Sequence, residues 1–351
     1  MKSHESGGIM KYFRKLLITA VLLLAGCGQS ASAPAQSPAP SAEPSGSAAP
    51  SEEPAATASA APIEDPATVY FTSDISSEGL VKVYEALNWT PGEKTGVKLS
   101  TGEPPSSNYL RPELIEGLVK KLNATIVECN TAYTGARAAT AEHYQVAEDH
   151  GFTKIAPFQI LDEDGWMELP VRNGKHISGD LVGKAFADYD SYVVLSHFKG
   201  HSMAGYGGAI KNISIGFASS RGKVRIHSGG TSDTRWHDEL HIEFLESMAE
   251  AGTAIRDAMG DRIVYINVMN RISIDCDCDG HPSEPDIHDI GIVAGYDPVA
   301  VDQACIDFVT KAEGNETLMK RIDELQGLHT IDYAAEIGLG TKNYKLVNID
   351  G

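Results

Sequence analysis

The sequence from Ser191 to Asn212, SYVVLSHFKGHSMAGYGGAIKN, joins an apolar run to a polar, glycine-rich loop. The run at 191–196 is mainly apolar, as expected of a strand that is buried on both faces of a parallel sheet. In α/β folds, ligands bind at the loops that leave the carboxyl ends of such strands. The stretch therefore predicts an α/β fold and a candidate site directly after residue 196.

Similar short β-branched runs alternate with helical patterns along the rest of the chain. They predict strands at 68–72, 96–100, 124–129, 262–269 and 289–294. Amphipathic patterns predict helices at 112–122 and 244–259, and Asp297-Pro298 predicts the start of a helix over 299–309. This alternation favours a mostly parallel sheet flanked by helices. The length allows one large core or two lobes with a site between them.

The first 66 residues predict export and tethering. The apolar run from Leu16 to Ala25 suits a signal peptide but is shorter than the ~20 residues that span a bilayer. Leu24-Ala25-Gly26-Cys27 resembles the lipobox of bacterial lipoproteins, which implies a signal peptide over 1–26 and lipid on Cys27. The alternative is a cleaved signal with an incidental cysteine. Residues 27–66, rich in Ala, Ser and Pro, predict a disordered tether before a folded domain at 67–351.

The charge of the chain restricts its partners. There are 29 Lys and Arg residues against 48 Asp and Glu residues, a net charge of -19. General attraction to nucleic acid or to anionic lipid is excluded, because most of the surface repels phosphate. We expect an extracytoplasmic protein that contacts the membrane only through the lipid on Cys27. Its partner is a small-molecule ligand or substrate, and an anionic ligand would need a locally basic pocket.

The loop after residue 196 carries two histidines, two lysines and several glycines. Glycines let backbone amides approach a ligand, and lysines supply the positive charge that an acidic protein lacks elsewhere. We assign His197, Lys199, Gly207, Gly208 and Lys211 to cofactor or ligand binding. The alternative is that the glycines are turn residues and the histidines are satisfied polar groups.

A second cluster, DCDCDGH at 275–281, follows a predicted strand. Cys276 and Cys278 are one residue apart, so that both thiols can bind the same soft metal or cluster. The alternatives are a redox pair or two reduced thiols in a polar loop. We predict that this loop and the loop after residue 196 meet in one pocket. Cys129 and Cys305 are expected in the core.

Several motifs carry a resemblance to a known family. They are GVKLSTGEP, CNTAYTGAR, SHFKGHSMAGYGGAIKN, DIGIVAGYDPVAVDQA and HTIDYAAEIGLGT, within roughly 95–345. Through them the chain resembles the bacterial and archaeal family called domain of unknown function 362, whose members occur alone or joined to iron-sulfur modules. The ferredoxin cysteine run is absent from this sequence.

A more distant resemblance concerns His201-x-x-Ala-Gly-Tyr-x-Gly-x-x-Lys211, which is similar to a segment of nickel-pincer lactate racemases. That resemblance implies that Lys211 anchors a nickel-type cofactor or an anion and acts in catalysis. It also implies that His201 is a general base or metal ligand, and that His227 is a metal ligand.

Three functions follow from these observations. The first is a membrane-tethered extracytoplasmic metalloprotein that binds an iron-sulfur cluster or transition metal and acts in redox or small-molecule conversion. The second is a ligand-binding lipoprotein without catalysis. The third is a nickel-dependent, racemase-like enzyme that acts on a hydroxy acid.

Overall fold

The computed structural model describes residues 65–237 and 239–351. The predicted signal peptide, the predicted lipid attachment at Cys27 and the predicted tether up to residue 64 lie outside the described residues. Within the described part, no helix has both the length and the apolar character needed to cross a bilayer.

Strands and helices alternate along the described chain. The strands are β1 (Ala67–Thr72), β2 (Thr95–Lys98), β3 (Thr125–Glu128), β4 (Phe158–Ile160), β5 (Trp166–Pro170), β6 (Gly179–Gly183), β7 (Ser191–His197), β8 (Lys199–His201), β9 (Gly205–Gly207), β10 (Ile263–Met269), β11 (Gly291–Gly295) and β12 (Tyr344–Asn348). The α-helices are α1 (Ser77–Ala86), α2 (Pro112–Leu122), α3 (Thr140–Asp149), α4 (Ala209–Ser214), α5 (Ser220–His227), α6 (His241–Met259), α7 (Pro298–Lys311), α8 (Glu316–Glu324) and α9 (Leu328–Glu336).

Eight of the strands form one mixed sheet in the order β12-β1-β11-β10-β7-β2-β3-β4. Strand β11 runs antiparallel to β1 and β10, and every other neighbouring pair in this sheet is parallel. The predicted α/β fold with a mostly parallel sheet is confirmed. Because the sheet is continuous, residues 65–351 belong to one compact unit rather than to two lobes.

Strand β7 shows why its sequence is apolar almost throughout. Tyr192 and Val194 pack into the hydrophobic cluster on one face of the sheet, together with residues of α6 and α7. Val193 and Leu195 pack into the cluster on the other face, with residues of α1 and α2. Successive side chains of a strand point to opposite faces, so both faces must be apolar when helices cover both.

The strand order reverses in the middle of the sheet. From β2 the chain proceeds through β3 to β4 at one edge, and from β7 it proceeds through β10 to β11 on the other side. The adjacent parallel strands β2 and β7 therefore flank a topological switch point. The loops that follow their carboxyl ends, at Lys98 and His197, run in opposite directions and leave a crevice between them. Ligands of open α/β sheets bind in the crevice at such a switch point.

Candidate functional site

A cavity of about 350 Å³ lies over the carboxyl ends of β2, β3 and β7. Every residue that the sequence assigned to the folded part of the site lines it, namely His197, Lys199, His201, Gly207, Gly208, Lys211, His227, Cys276 and Cys278. The glycine-rich loop and the cysteine loop thus share one cavity. Their side chains differ in what they contact.

Gly200, in the centre of β8, lets the two loops approach each other. Its backbone N–H donates to the carbonyl of Ser273 over 2.8 Å. A Cβ atom on Gly200 would lie 2.2 Å from the carbonyl oxygen of Ile274, which is far inside van der Waals contact. Only glycine therefore fits where β8 passes the chain that leads to Cys276.

Asp277, between the two cysteines, fixes the cysteine loop to β7 and β8. His197 Nδ1 lies 2.9 Å from Asp277 Oδ1, and Lys199 Nζ donates to Oδ2 over 2.7 Å. All three residues are buried. Burial alone would raise the pKa of Asp277, but Lys199 and His197 outweigh it and hold the pKa well below its usual range. Asp277 is not among the predicted site residues.

His197 and Lys199, which are predicted to bind a cofactor or ligand, also contact other groups of the protein. The second ring nitrogen of His197, Nε2, lies 2.6 Å from the carbonyl oxygen of Asn270, so both nitrogens face oxygen acceptors. Lys199 Nζ also donates to the carbonyl of His197 over 2.7 Å. The side-chain nitrogens of both residues therefore form hydrogen bonds within the protein. They position the Asp277 loop, and their predicted role in cofactor or ligand binding stays a prediction.

His201 ends β8 and faces the cavity with its imidazole. Its Nδ1 accepts hydrogen bonds from the backbone N–H groups of Met203 and Ala204, at 3.1 and 3.0 Å. Burial, reinforced by the nearby charge of Lys211, lowers the pKa of His201 well below its ordinary value, so the ring is neutral. Its proton then sits on Nε2. In this conformation Nε2 of His201 can donate a hydrogen bond, and the role of His201 as a general base stays a prediction.

His201, Cys276 and Cys278 form a group that could hold a metal ion. One donor atom from each lies within 4.8 Å of the others. Two thiolates and an imidazole are the ligands that soft or borderline ions such as Zn²⁺ prefer. Here Cys276 and Cys278 are joined by a disulfide bond. Metal binding therefore requires reduction of that bond and a turn of the His201 ring that presents a nitrogen lone pair.

The other cysteines do not extend this group to a cluster site. Cys129 lines the cavity, but it is buried, its thiol donates to the carbonyl of Phe217, and burial raises its pKa strongly. Cys305 is buried in α7, as predicted. Iron-sulfur clusters are usually held by four cysteine thiolates. The described residues offer no such set at this cavity, so the donors fit a single ion better than a cluster.

His227 lines the cavity outside the three-residue group. Its Nδ1 donates to the carbonyl of Lys223 over 2.8 Å, and its ring stacks on Trp236 and Phe244, with centroids 4.0 and 4.5 Å away. Burial lowers its pKa to about 3. The ring is neutral and its Nε2 carries a lone pair. The neutral ring of His227 could therefore accept a proton or bind a metal ion. It is not part of the group formed by His201, Cys276 and Cys278.

The two glycines before α4 serve the packing of the loop. A Cβ atom on Gly208 would lie 2.3 Å from Asp302 Oδ1, and Asp302 accepts from the N–H groups of Ala209 and Ile210. The first amides of α4 are therefore already paired with this carboxylate. Gly207 leaves room for the side chain of Lys211. Gly208 also lines the cavity, and its role in cofactor or ligand binding stays a prediction.

Lys211 is the amine of the cavity that remains available. No described residue forms a hydrogen bond or ion pair with its Nζ, although Lys98 and Lys223 donate to backbone carbonyls. Burial, and secondly the charge of Lys199, lower the pKa of Lys211 to about 7. The pKa of Lys98 is lowered to about 8, chiefly by burial. Both amines can thus change charge near neutral pH.

The charge of the cavity is opposite to that of the whole protein. Its lining holds four lysines and Arg137, against the two carboxylates of Glu128 and Asp277. Arg137 is fully used, because its guanidinium contacts Glu103, Glu128 and Ser100 at 3.0 Å each. The excess positive charge suits a small anion. The basic pocket required by the acidic sequence is present, and Lys98 and Lys223 contribute to it without having been predicted.

Comparison with known proteins gives the family. No curated protein matches the chain. Among solved structures, the lactate racemase apoprotein from Thermoanaerobacterium thermosaccharolyticum aligns with a TM-score of 0.40 and 15% identity, over 70% of this chain and 57% of that one. A protein from Thermotoga maritima aligns with a TM-score of 0.39 and 12% identity, over 74% of this chain and 59% of that one.

The chain thus spans less than two thirds of either solved structure, and these likenesses are distant. The family model described as Domain of unknown function (DUF362) matches residues 95–307, which is more than half of the chain. The matched range contains every residue that lines the cavity. This protein belongs to the DUF362 family.

Proposed function

We propose that this protein is a metalloprotein that acts on a small organic anion in the basic cavity over the carboxyl ends of β2, β3 and β7. The anion binds on the lysine side, where no described residue forms a hydrogen bond or ion pair with Lys211. A soft transition-metal ion binds on the sulfur side, at Cys276 and Cys278, once their bond is reduced. The observation that carries the proposal is that the Lys211 amine and the His201, Cys276 and Cys278 group line one cavity at the switch point of the sheet.

The donor chemistry supports a single soft ion. Thiolates select ions such as Zn²⁺ and Fe²⁺ over hard ions, and a neutral imidazole complements them. The predicted iron-sulfur cluster is less well supported, because the described residues supply only two thiols that can ligate together at the cavity. A bound ion would act as a Lewis acid toward an oxygen of the anion. The chain itself would hold and orient that anion.

Lys211 gives the first test of the anion site. Replacing Lys211 with Met removes the one unpaired ammonium of the cavity, and a charge-assisted hydrogen bond is worth about 1.5–3 kcal/mol. We expect oxalate to bind roughly 10- to 100-fold more weakly to K211M near pH 6. Isothermal titration calorimetry of the oxidised protein measures this. Lys345→Met, at an exposed lysine of β12, is the matched control.

The same titration has a defined pH dependence. The pKa of Lys211 is about 7, so its ammonium is present below that pH and is lost as the pH rises through it. The affinity of the wild-type chain for oxalate should therefore fall between about pH 6 and about pH 8.5, while oxalate itself keeps its charge. The difference in oxalate affinity between the wild-type chain and K211M should decrease over the same pH interval. Equal affinities of the two proteins near pH 6 would reject the anion site.

A purely binding function is the second candidate. It is favoured by one observation: His201 Nδ1 accepts hydrogen bonds from the backbone N–H groups of Met203 and Ala204, so the other ring nitrogen carries the proton and has no lone pair for a substrate proton. A receptor for anions needs the lysines and this donor but no turnover. His201→Gln, which keeps an N–H donor, should preserve ligand affinity in both cases. It would abolish turnover only in an enzyme that uses the imidazole for proton transfer or metal binding.

We further propose that the protein works outside the cytoplasm, tethered by lipid on Cys27. The support is the lipobox-like segment and the Pro-rich composition of 28–66. A Cys27→Ser variant should move from the membrane fraction to the soluble fraction in a bacterial host. Membrane association that survives this substitution would count against the lipid anchor.

A further inference from the structure

The disulfide bond between Cys276 and Cys278 joins residues that are two positions apart. A cross-link stabilises a fold mainly by restricting the unfolded chain, and it does so more when the enclosed loop is long. This bond encloses Asp277 alone, so it restricts the unfolded chain very little. Both cysteines line the cavity. This position indicates a chemical role for the bond and not a stabilising one.

The cysteine loop is held in place by contacts that do not involve sulfur. The Asp277 carboxylate is bound by His197 and Lys199, and its backbone carbonyl accepts from the N–H of Glu103 and the hydroxyl of Ser107. Opening the disulfide breaks none of these contacts. The two sulfur atoms should therefore stay at the cavity, beside His201, in the reduced protein.

The two cysteines also differ in exposure. Cys276 is 5% exposed, whereas Cys278 is only partly buried. We therefore expect an incoming thiolate to attack the sulfur of Cys278, so that the sulfur of Cys276 leaves. Lys199 and Lys211 line the same cavity, and neighbouring cations stabilise a thiolate.

We propose that Cys276 and Cys278 form a reversible dithiol–disulfide couple, reduced by small thiols that enter the cavity, and that this reduction creates the metal site. A thiolate attacks the sulfur of Cys278, the bond between the two cysteines breaks, and Cys276 leaves as a thiolate that takes up a proton from water. A second thiolate then attacks the reductant's sulfur in the mixed disulfide and releases Cys278. In total, two thiols become one small disulfide, and the protein gains two electrons and two protons.

The other thiols of the folded part provide an internal reference. Cys129 and Cys305 are both buried and unbonded to each other, and burial raises the pKa of both strongly. Such thiols react slowly with alkylating agents while the protein is folded. Labelling can therefore distinguish reduction at the cavity from exposure of the core.

The test applies dithiothreitol to the full-length protein, then iodoacetamide, and locates the labels by peptide mass spectrometry. We expect labels on Cys276 and Cys278, none on Cys129 or Cys305, an unchanged circular dichroism spectrum, and loss of the new thiols after treatment with oxidised glutathione. Reduction that occurs only together with labelling of Cys129 or Cys305 would overturn the couple, because it would require unfolding.

Metal titration of the same samples separates this inference from the proposed function, on which its second part rests. We expect Zn²⁺ to bind at least about 100-fold more tightly to the reduced protein than to the oxidised protein. The Cys278→Ser variant, which cannot form the bond, should show no dependence on reductant. Selective reduction without Zn²⁺ binding would support the dithiol–disulfide couple and reject the metal part of the proposed function. Equal Zn²⁺ affinity in both redox states would overturn the coupling between reduction and metal binding.

Discussion

Replacing both Cys276 and Cys278 with serine should weaken Zn²⁺ binding to the reduced protein by more than roughly 1,000-fold. Thiolate sites bind Zn²⁺ with apparent free energies of about 10–16 kcal/mol, and every 1.4 kcal/mol corresponds to a factor of ten. Serine hydroxyls stay protonated and are poor ligands, so His201 alone remains. Anaerobic competition against a chromophoric chelator measures the two dissociation constants.

The matched control for this variant is His281→Ala. His281 is an exposed histidine of the same loop, and it does not line the cavity. Its removal should leave the dissociation constant for Zn²⁺ within about twofold, well below one factor of ten. If the double serine variant binds Zn²⁺ as tightly as the wild-type chain does, the sulfur side of the cavity is not the metal site.

Asp277→Ala should destabilise the fold by about 3–5 kcal/mol, the usual cost of removing one partner from a buried ion pair. The substitution leaves Lys199 and His197 buried without their carboxylate. Urea denaturation followed by circular dichroism gives the free energies of unfolding. Asp279→Ala, at the exposed carboxylate two residues further on, should change the free energy by no more than about 0.5 kcal/mol.

The effect of Asp277→Ala should also depend on pH with a defined sign. The pKa of Asp277 is lower in the folded protein than in the unfolded chain, so the unfolded chain takes up the proton first as the pH falls. The stabilisation by Asp277 is fully present above the unfolded pKa of about 3.9 and is lost at lower pH. The wild-type chain and the variant should therefore converge in stability under acid conditions. A difference below about 1 kcal/mol at neutral pH would show that Asp277 does not anchor the loop.

Much of the fold is predictable because its helices and strands bury apolar side chains at regular spacings in the sequence. Helix α2 spans the predicted 112–122, and α7 begins at Pro298, with the Asp297 carboxylate accepting from the N–H groups of Val299 and Ala300. The predicted strand over 191–196 corresponds to β7, which extends by one residue to His197. In these elements the local pattern and the tertiary environment favour the same conformation.

The elements that were missed are short or depend on distant partners. Strands β8 and β9 have three residues each and lie within the glycine-rich segment for which the sequence predicts a ligand-binding loop. They pair with each other, and the backbone of β8 also contacts Ser273. No periodicity can develop over three residues, and the contact with residue 273 is not visible in the local sequence.

The candidate site was predictable in location but only partly in roles. Loops that leave the carboxyl ends of parallel strands meet at one edge of the sheet, so the two clusters could be placed together. The role of His197 depends on Asp277, 80 residues away along the chain. The protonation of His201 depends on the amides of the turn that follows it. A signal for Lys98 did exist, since a lysine at the end of a strand that is otherwise buried needs a polar partner.

The central claim is that an anion bound at the Lys211 amine also contacts the metal ion held by the sulfurs of Cys276 and Cys278. Loading the reduced protein with Co²⁺ and adding oxalate, while recording the absorption spectrum of the ion, tests this most directly. We expect oxalate to change the Co²⁺ bands of the wild-type protein, and to do so only at roughly 10- to 100-fold higher concentration in K211M. Co²⁺ bands that do not respond to oxalate in the wild-type protein, although calorimetry shows that oxalate binds, would contradict the claim.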